Sequence, residues 1–181
     1  MEVIAQEIQR LDRVVQGFLK FVRPQELRLG PVDANALLQE VSQLMAPEAA
    51  QAGARIALDL TPDLPPVAGD VELLQQACTN LVTNAIQAMP KGGTVTLASQ
   101  RGPDGAIEVR VSDEGVGIPR EDLDRIFRLY YTTKPTGSGI GLSLVYRIMQ
   151  MHDGRIDVES VVGRGATMIL TLPVAPGRAA L

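Results

Sequence analysis

The sequence predicts an α+β fold, a two-layer sandwich in which a mainly antiparallel mixed sheet carries three helices on one face. Three observations lead there. Segments of alternating polarity come in pairs around glycine-containing turns, at 94–100 with 106–113 and at 155–160 with 166–174. Three apolar-periodic stretches, at 33–52, 70–89 and 140–152, have the length and punctuation of helices. The two kinds of segment are interleaved along the chain, the pattern of a sheet covered on one side.

In chain order, residues 2–22 come first. Ile4, Ile8, Leu11, Val15, Phe18 and Val22 alternate spacings of four and three, the seam of a coiled coil or helical bundle. One helix cannot bury such a seam alone, so this stretch is expected to pair with a partner helix or a second copy of the chain. Pro24 ends it, and a linker-like run follows over 24–32. Asp33 is a plausible N-cap for a helix built on Leu37, Leu38, Val41, Leu44 and Met45, and Gly53 closes it. Residues 55–60 alternate like a strand, and TPDLPPVAGD reads as a proline-rich surface loop. Asp70 caps the next helix, which stops at Pro90-Lys91-Gly92-Gly93. The strands 94–100 and 106–113 follow, joined through RGPDG. After the last helix, Gly154 is expected to cap, the final hairpin turns at Val162-Gly163-Arg164-Gly165, and 175–181 form a tail.

Composition narrows the function. The 181 residues suit one ordinary domain with an appendage, 45% of them are hydrophobic, and the net charge is −4. That balance lacks the positive excess of a nucleic-acid-binding protein. The single cysteine, Cys78, excludes an intrachain disulfide, fits a reducing compartment, and reads as a buried thiol in a helix. There is no apolar run of membrane-spanning length and no signal-peptide pattern, so this segment is expected to make no membrane contact.

The chemistry concentrates between Asp113 and Leu142. Gly115 and Gly117 form one glycine cluster, and Gly137, Gly139 and Gly141 form a second that runs straight into an apolar helix. A glycine-rich loop entering a helix aims free N–H groups and the positive end of the helix dipole at an anion, most plausibly phosphate. Upstream, Asn80, Asn84 and Gln87 share one face of the 70–89 helix, opposite Leu74, Ala77, Leu81, Ala85 and Ala88. Amide oxygens are hard ligands suited to Mg²⁺, although a solvated polar face would look the same. Asp113 ends a strand before EGVGIP, where a carboxylate can accept from an exocyclic amine, or simply make a turn. Thr132, Thr133 and Lys134 offer hydroxyls and one ammonium in a flexible segment. The lone histidine, His152, reads as a capping or surface residue. There is no Cys/His metal cluster, Ser-His-Asp set or GxxxxGK[ST] loop.

Taken together the motifs resemble a known family. TNLVTNAIQAM, DEGVGIP, RIFRLYYTTK, GSGIGLSLVYRI and GRGATMIL are similar, in order, to the N box, first glycine box, F box, second glycine box and closing glycine-threonine motif of the sensor histidine kinase ATP-binding domain. That domain shares a superfamily with gyrase, a heat-shock chaperone and mismatch-repair ATPases. The resemblance runs over 31–174, and QAMPKGG, YYTTK and HDGRI are closest to the nitrogen-regulation-like subtype. It implies a Bergerat-type fold and this layout: a partial dimerisation and phosphotransfer helix at 1–23, a linker at 24–32, an ATP-binding catalytic domain at 33–174 and a tail.

By position, the resemblance implies that Asp113 binds the adenine amino group, with Gly117 and Ile118 lining the base pocket, Thr167 backing it and Gly115 among the ATP-binding residues. Asn84 would coordinate Mg²⁺. Asn80 stands where hydrolases of the superfamily place a general-base glutamate; an amide cannot take a proton, which suits phosphoryl transfer. The span 119–137 would be a mobile lid reaching Tyr131, Thr132, Thr133 and Lys134. Backbone amides of Ser138, Gly139, Ile140, Gly141 and Leu142 would hold phosphates. Gln87 stands where the family often has a lysine. Asn80 and Lys134 would be the catalytic side chains.

The family's phosphoacceptor histidine has no counterpart, so the sequence reads as a catalytic fragment. The function implied is transfer of the γ-phosphoryl of ATP to that absent histidine and thence to a response-regulator aspartate. ATP or ADP and Mg²⁺ are the implied cofactors. The implied partners are a response regulator receiver domain, the absent phosphotransfer helix and a second copy joined through 2–22. The implied location is the cytosol, including the cytosolic part of a membrane-bound sensor. A nucleotide-operated switch or scaffold without kinase activity is the alternative, and a gyrase- or chaperone-like ATPase ranks below both.

Overall fold

The computed structural model describes residues 27–134 and 137–176. The expected seam helix at 2–22 lies outside them.

Two helices begin on aspartate caps, as their sequences require. Asp33 Oδ1 accepts from the N–H groups of Asn35 (2.8 Å) and Ala36 (3.2 Å) at the start of α1, Ala34–Gln51. Asp70 Oδ1 accepts from Glu72 (3.1 Å) and Leu73 (3.3 Å) at the start of α2, Val71–Ala88. The third helix, α3, spans Gly141–Met151 and has Ile140 at its N-cap, where no side chain caps it.

Five strands form the main sheet in the order β2-β4-β5-β7-β6: Ala54–Leu60, Gly93–Arg101, Ile107–Asp113, Gly165–Leu172 and Arg155–Val161. The β2–β4 pair is parallel, with α2 lying on the path between them, and the other pairs are antiparallel. Both hairpins fall where the turn residues put them, with Arg101 opposite Ile107 and Val161 opposite Gly165.

The core fills the space between the helices and one sheet face. Leu38, Leu74, Leu81, Leu97, Ile148 and Leu170 are fully buried in one cluster, and each contributes about 2 kcal/mol by leaving water. Cys78 is buried among them, and desolvation pushes its thiol up to about 12. The other face carries polar groups, among them Arg110 paired with Glu108 (3.4 Å) and Glu159 (3.0 Å).

Three expectations need correction. The linker-like 24–32 and the proline-rich loop each hold a short strand, β1 (Gly30–Val32) and β3 (Val67–Gly69), which pair antiparallel outside the main sheet. Their pairing supplies the backbone bonds that three-residue segments cannot find locally. His152 is the C-cap of α3, one of the two roles expected of it, but it is no surface residue. It is 2% exposed; Nε2 accepts the Asp70 N–H at 2.9 Å, and Nδ1 donates to the Ile148 carbonyl at 2.7 Å. The ring thus staples the end of α3 to the cap of α2. Finally, the left-handed residue after α3 is Asp153 (φ +50°), not Gly154. Asp153 N–H reaches Gln150 O at 3.3 Å and Gly154 N–H reaches Met149 O at 2.9 Å, a Schellman closure with aspartate in the glycine position. Gly154 is required by space: an added Cβ would lie 2.6 Å from Met149 Cε and 2.7 Å from Thr171 O.

Candidate functional site

One edge of α2, the end of β5 and the start of α3 enclose a cavity of about 960 Å³. Its floor is set by Asp113, at the C-terminal end of a central strand. Asp113 Oδ1 accepts from Gly115 N (2.8 Å) and Ala166 N (3.3 Å). Burial raises its pKa, while those two N–H groups and the Lys134 ammonium pull it back. The carboxylate is therefore held in place by backbone on both sides, with its charge turned to the cavity.

The loop after Asp113 is stitched to its surroundings by main chain. Val116 N donates to Ala88 O at 3.0 Å, and Ile118 N donates to Ser160 Oγ at 2.8 Å, which in turn donates to Gly165 O at 2.9 Å. Two glycines make this packing possible. At Gly117 (φ +72°) a Cβ would stand 2.4 Å from Val161 O, and at Gly165 (φ +95°) it would stand 1.8 Å from Asp113 O. Gly117 leaves bare backbone on the cavity near the carboxylate, and Val111, Ile118, Ala166 and Met168 add apolar walls.

Elsewhere along the same cavity, α2 faces the uncapped start of α3. Asn80 Nδ2 donates back to Gln76 O at 2.8 Å, and Oδ1 turns toward Gly141, where an added Cβ would lie 3.4 Å from it and 3.7 Å from Asn84 Nδ2. Two amide side chains thus meet the positive end of a helix dipole, the chemistry of an anion site. Ile140 N donates to Ser138 Oγ at 3.4 Å.

A flap closes the third side. Its base is the 120–122 turn with buried Ile126, and Tyr131 fixes it: the hydroxyl donates to Asp122 Oδ1 at 2.5 Å beneath the Arg125 guanidinium, 4.8 Å from the ring. The hydrogen bond to Asp122 raises the Tyr131 pKa. Phe127 packs on Tyr146 of α3 with ring centres 6.0 Å apart. Tyr130 N donates to Gly139 O at 2.9 Å, tying flap to glycine loop. Lys134 Nζ crosses to α2 and donates to Gln87 Oε1 at 2.9 Å; burial lowers its pKa and Asp113 raises it.

Of the residues singled out from sequence, Asn80, Asn84, Asp113, Gly117, Ile118, Tyr131 through Lys134 and Gly137 through Leu142 line this one cavity. Gly115 and Thr167 do not. Gly115 packs behind Asp113 against Ala88, where an added Cβ would lie 2.5 Å from the carbonyl oxygen. Thr167 sits on the other sheet face with Oγ1 2.8 Å from Ser112 Oγ, and its neighbours Ala166 and Met168 face the cavity instead. Strand alternation was the missed signal: a residue next to a cavity-facing one points away. Sequence reasoning also passed over Ser160 and Asp122, whose roles depend on contacts 42 and 9 residues away.

A metal ion would find oxygen donors here in Asn80 and Asn84, and the described residues hold no cluster of three His, Cys, Asp or Glu side chains that could carry one. The donor set suits a hard divalent cation that takes its remaining ligands from phosphate and water, as Mg²⁺ does.

A carboxylate, apolar walls, a pair of amides beside a bare helix start, and a flap, all on one cavity, define a nucleotide-binding domain. Residues 69–176 match the family described as histidine kinase-, DNA gyrase B-, and HSP90-like ATPase, and the chain belongs to it. Sensor histidine kinase ZraS of Klebsiella oxytoca is 38% identical over 172 residues, which is 95% of this chain and 37% of that protein. Full-length ShkA in complex with AMPPNP superposes with a TM-score of 0.82 at 30% identity, covering 97% of this chain and 38% of ShkA. Histidine kinase ThkA in complex with response regulator TrrA gives 0.79 at 26% identity, with 97% of this chain and 51% of that one covered. The chain thus spans little more than a third of the curated relative ZraS. Among the described residues, no helix is long and apolar enough to cross a membrane.

Proposed function

We propose that this chain is the ATP-binding catalytic part of a sensor histidine kinase in a two-component system, moving the γ-phosphoryl of ATP to a histidine on a helix outside this sequence. The observation that carries this reading is that one cavity is lined both by Asp113 and by the uncapped start of α3 beside Asn80 and Asn84. An adenine nucleotide brings the matching pair of groups, an amine donor and a polyanion.

In this reading Asp113 accepts from the adenine amino group, and Gly117, Ile118, Ala166 and Met168 flank the ring. Backbone N–H groups from Ser138 to Leu142 hold phosphate oxygens, and Lys134 brings positive charge to them from the flap. Asn84, with Asn80 one turn away, would hold Mg²⁺, which when bound screens charge between the phosphates. The acceptor imidazole attacks the γ-phosphorus and ADP leaves with the bridging oxygen. Catalysis rests on positioning and charge, because this transfer asks little covalent chemistry of the protein. Neither amide at 80 or 84 can take a proton, which favours transfer to an imidazole over hydrolysis by activated water.

The layout that goes with this function is a dimerisation helix at 1–23, a linker that ends before β1 at Gly30, and a catalytic domain from β1 to residue 174, in a cytosolic homodimer. The structural match to the ThkA complex with TrrA supports a response regulator as downstream partner, and the QAMPKGG and YYTTK wording supports the nitrogen-regulation-like subtype. The test has two stages. Calorimetric titration with ATP and ADP in Mg²⁺ should show binding; then a histidine-bearing hairpin added in trans should acquire acid-labile phosphate from γ-labelled ATP. Binding without transfer would leave a nucleotide-operated switch, and no binding would end the proposal.

A further inference from the structure

Lys134 is the sole lysine or arginine among the described residues lining the cavity. Its side chain spans from the flap to α2, where Nζ meets Gln87 Oε1 at 2.9 Å and the Asn84 carbonyl at 3.5 Å. Both acceptors lie in the last turns of the helix that presents Asn80 and Asn84 to the start of α3. Gln87 itself is exposed, so it adds nothing to the core. A neutral amide oxygen can orient an ammonium without cancelling its charge, which a carboxylate in the same place would do.

We propose that Gln87 is a positioning residue: by anchoring the Lys134 ammonium on the α2 wall beside Asn84, it stations the cavity's cation where the outer phosphates of a nucleotide would lie. It thereby sets how strongly affinity depends on phosphate number. The physical reason is entropic. An unrestrained lysine on a flap surrenders its rotamer freedom on meeting phosphate, whereas one already held by Gln87 has surrendered much of it beforehand. This inference rests on the nucleotide-binding reading above and adds to it a residue that never needs to touch the base.

The experiment is calorimetric titration of the full chain with ATP, ADP and AMP in Mg²⁺, for the parent and for Gln87→Ala, Gln87→Met, Lys134→Ala and the Gln87→Ala/Lys134→Ala double variant. Methionine keeps the length of glutamine and removes the acceptor. Both Gln87 variants should weaken ATP by about three- to tenfold, the size of one charge-assisted bond near a surface. They should weaken AMP by less than about twofold, the same bond making no contact near the first phosphate. In the Lys134→Ala background, removing Gln87 should change nothing. Unaltered or tighter ATP binding in Gln87→Met, equal losses for ATP and AMP, or an undiminished Gln87 effect without Lys134 would each overturn the proposal. A parent chain that binds no adenine nucleotide sinks the underlying reading as well, whereas a binding parent with phosphate-independent variants sinks this inference alone. Exposure of Gln87 makes an unchanged unfolding midpoint the expected control.

Discussion

Burial and hydrogen bonding act on the Asp113 carboxyl in opposite directions, and that opposition is testable. Desolvation raises its pKa above the ordinary 3.8, partly offset by the Gly115 and Ala166 N–H groups and by Lys134. In the proposed reading the charged form accepts from an adenine amine, so adenosine affinity should fall with decreasing pH, beginning at a higher pH than an ordinary aspartate would set. Asp113→Asn should lose that acid limb and bind about tenfold more weakly at neutral pH, a charge-assisted bond having become a neutral one. For stability the sign is opposite. A raised pKa in the folded state means a contribution present below the unfolded value and lost as pH rises through the folded one. Asparagine keeps both backbone acceptor bonds without the charge, so the unliganded variant should unfold at the same or a higher temperature near pH 7. An acid limb that persists in Asp113→Asn would assign it to another group. Asp113, Asn80 and Asn84 were legible in the sequence because a carboxylate before a glycine cluster and amides on one helical face are unusual enough to need a reason. His152 was not legible, since nothing local says that residues 70 and 152 meet. Its two bonds predict that His152→Ala costs about 2–4 kcal/mol in urea unfolding, from an unpaired buried N–H and a cavity together.

At the scale of elements, helices and hairpins could be read because their boundaries carry side-chain signals: Asp33, Asp70, and the glycines near 102–105 and 163–165. The short strands β1 and β3 carry none, and exist because Gly30–Val32 and Val67–Gly69 supply each other's partners. The helix cap after α3 misled for a subtler reason, glycine standing one residue past the left-handed position. Replacing Asp153 by Gly should relieve a left-handed aspartate and raise stability by about 0.5–1 kcal/mol, read as a higher denaturation midpoint. Gly165→Ala goes the other way. Its Cβ would stand 1.8 Å from the Asp113 carbonyl oxygen at φ +95°, so β5 and β7 must part at the point where Asp113 is fixed. A loss above about 3 kcal/mol is expected, with nucleotide affinity reduced in any fraction that folds. A variant of parental stability and affinity would show that the strand ends tolerate separation, and with it that Asp113 is not held by them.

Over the whole molecule the proposed function raises two questions, where a transferred phosphoryl group would go and whether two copies associate. His152 cannot receive it: the ring is buried and both nitrogens are committed, one to the Asp70 N–H and one to the Ile148 carbonyl. Incubated with γ-labelled ATP, the chain should therefore carry no acid-labile phosphate until an acceptor hairpin is supplied. The seam at 2–22 makes a second demand. Six apolar residues recur there at alternating spacings of four and three, and each forgoes about 1.5–3 kcal/mol if left in water. A second copy can cover them, at the cost of lost translational freedom, so association should follow mass action. Sedimentation velocity over a wide concentration range should show a monomer–dimer shift, and removal of residues 1–26 should abolish it while leaving ATP affinity within about twofold, because the cavity-lining residues among those described all lie downstream. A strict monomer at high concentration would assign the seam to burial within the same chain, and a dimer that survives the deletion would place the interface on the catalytic domain itself.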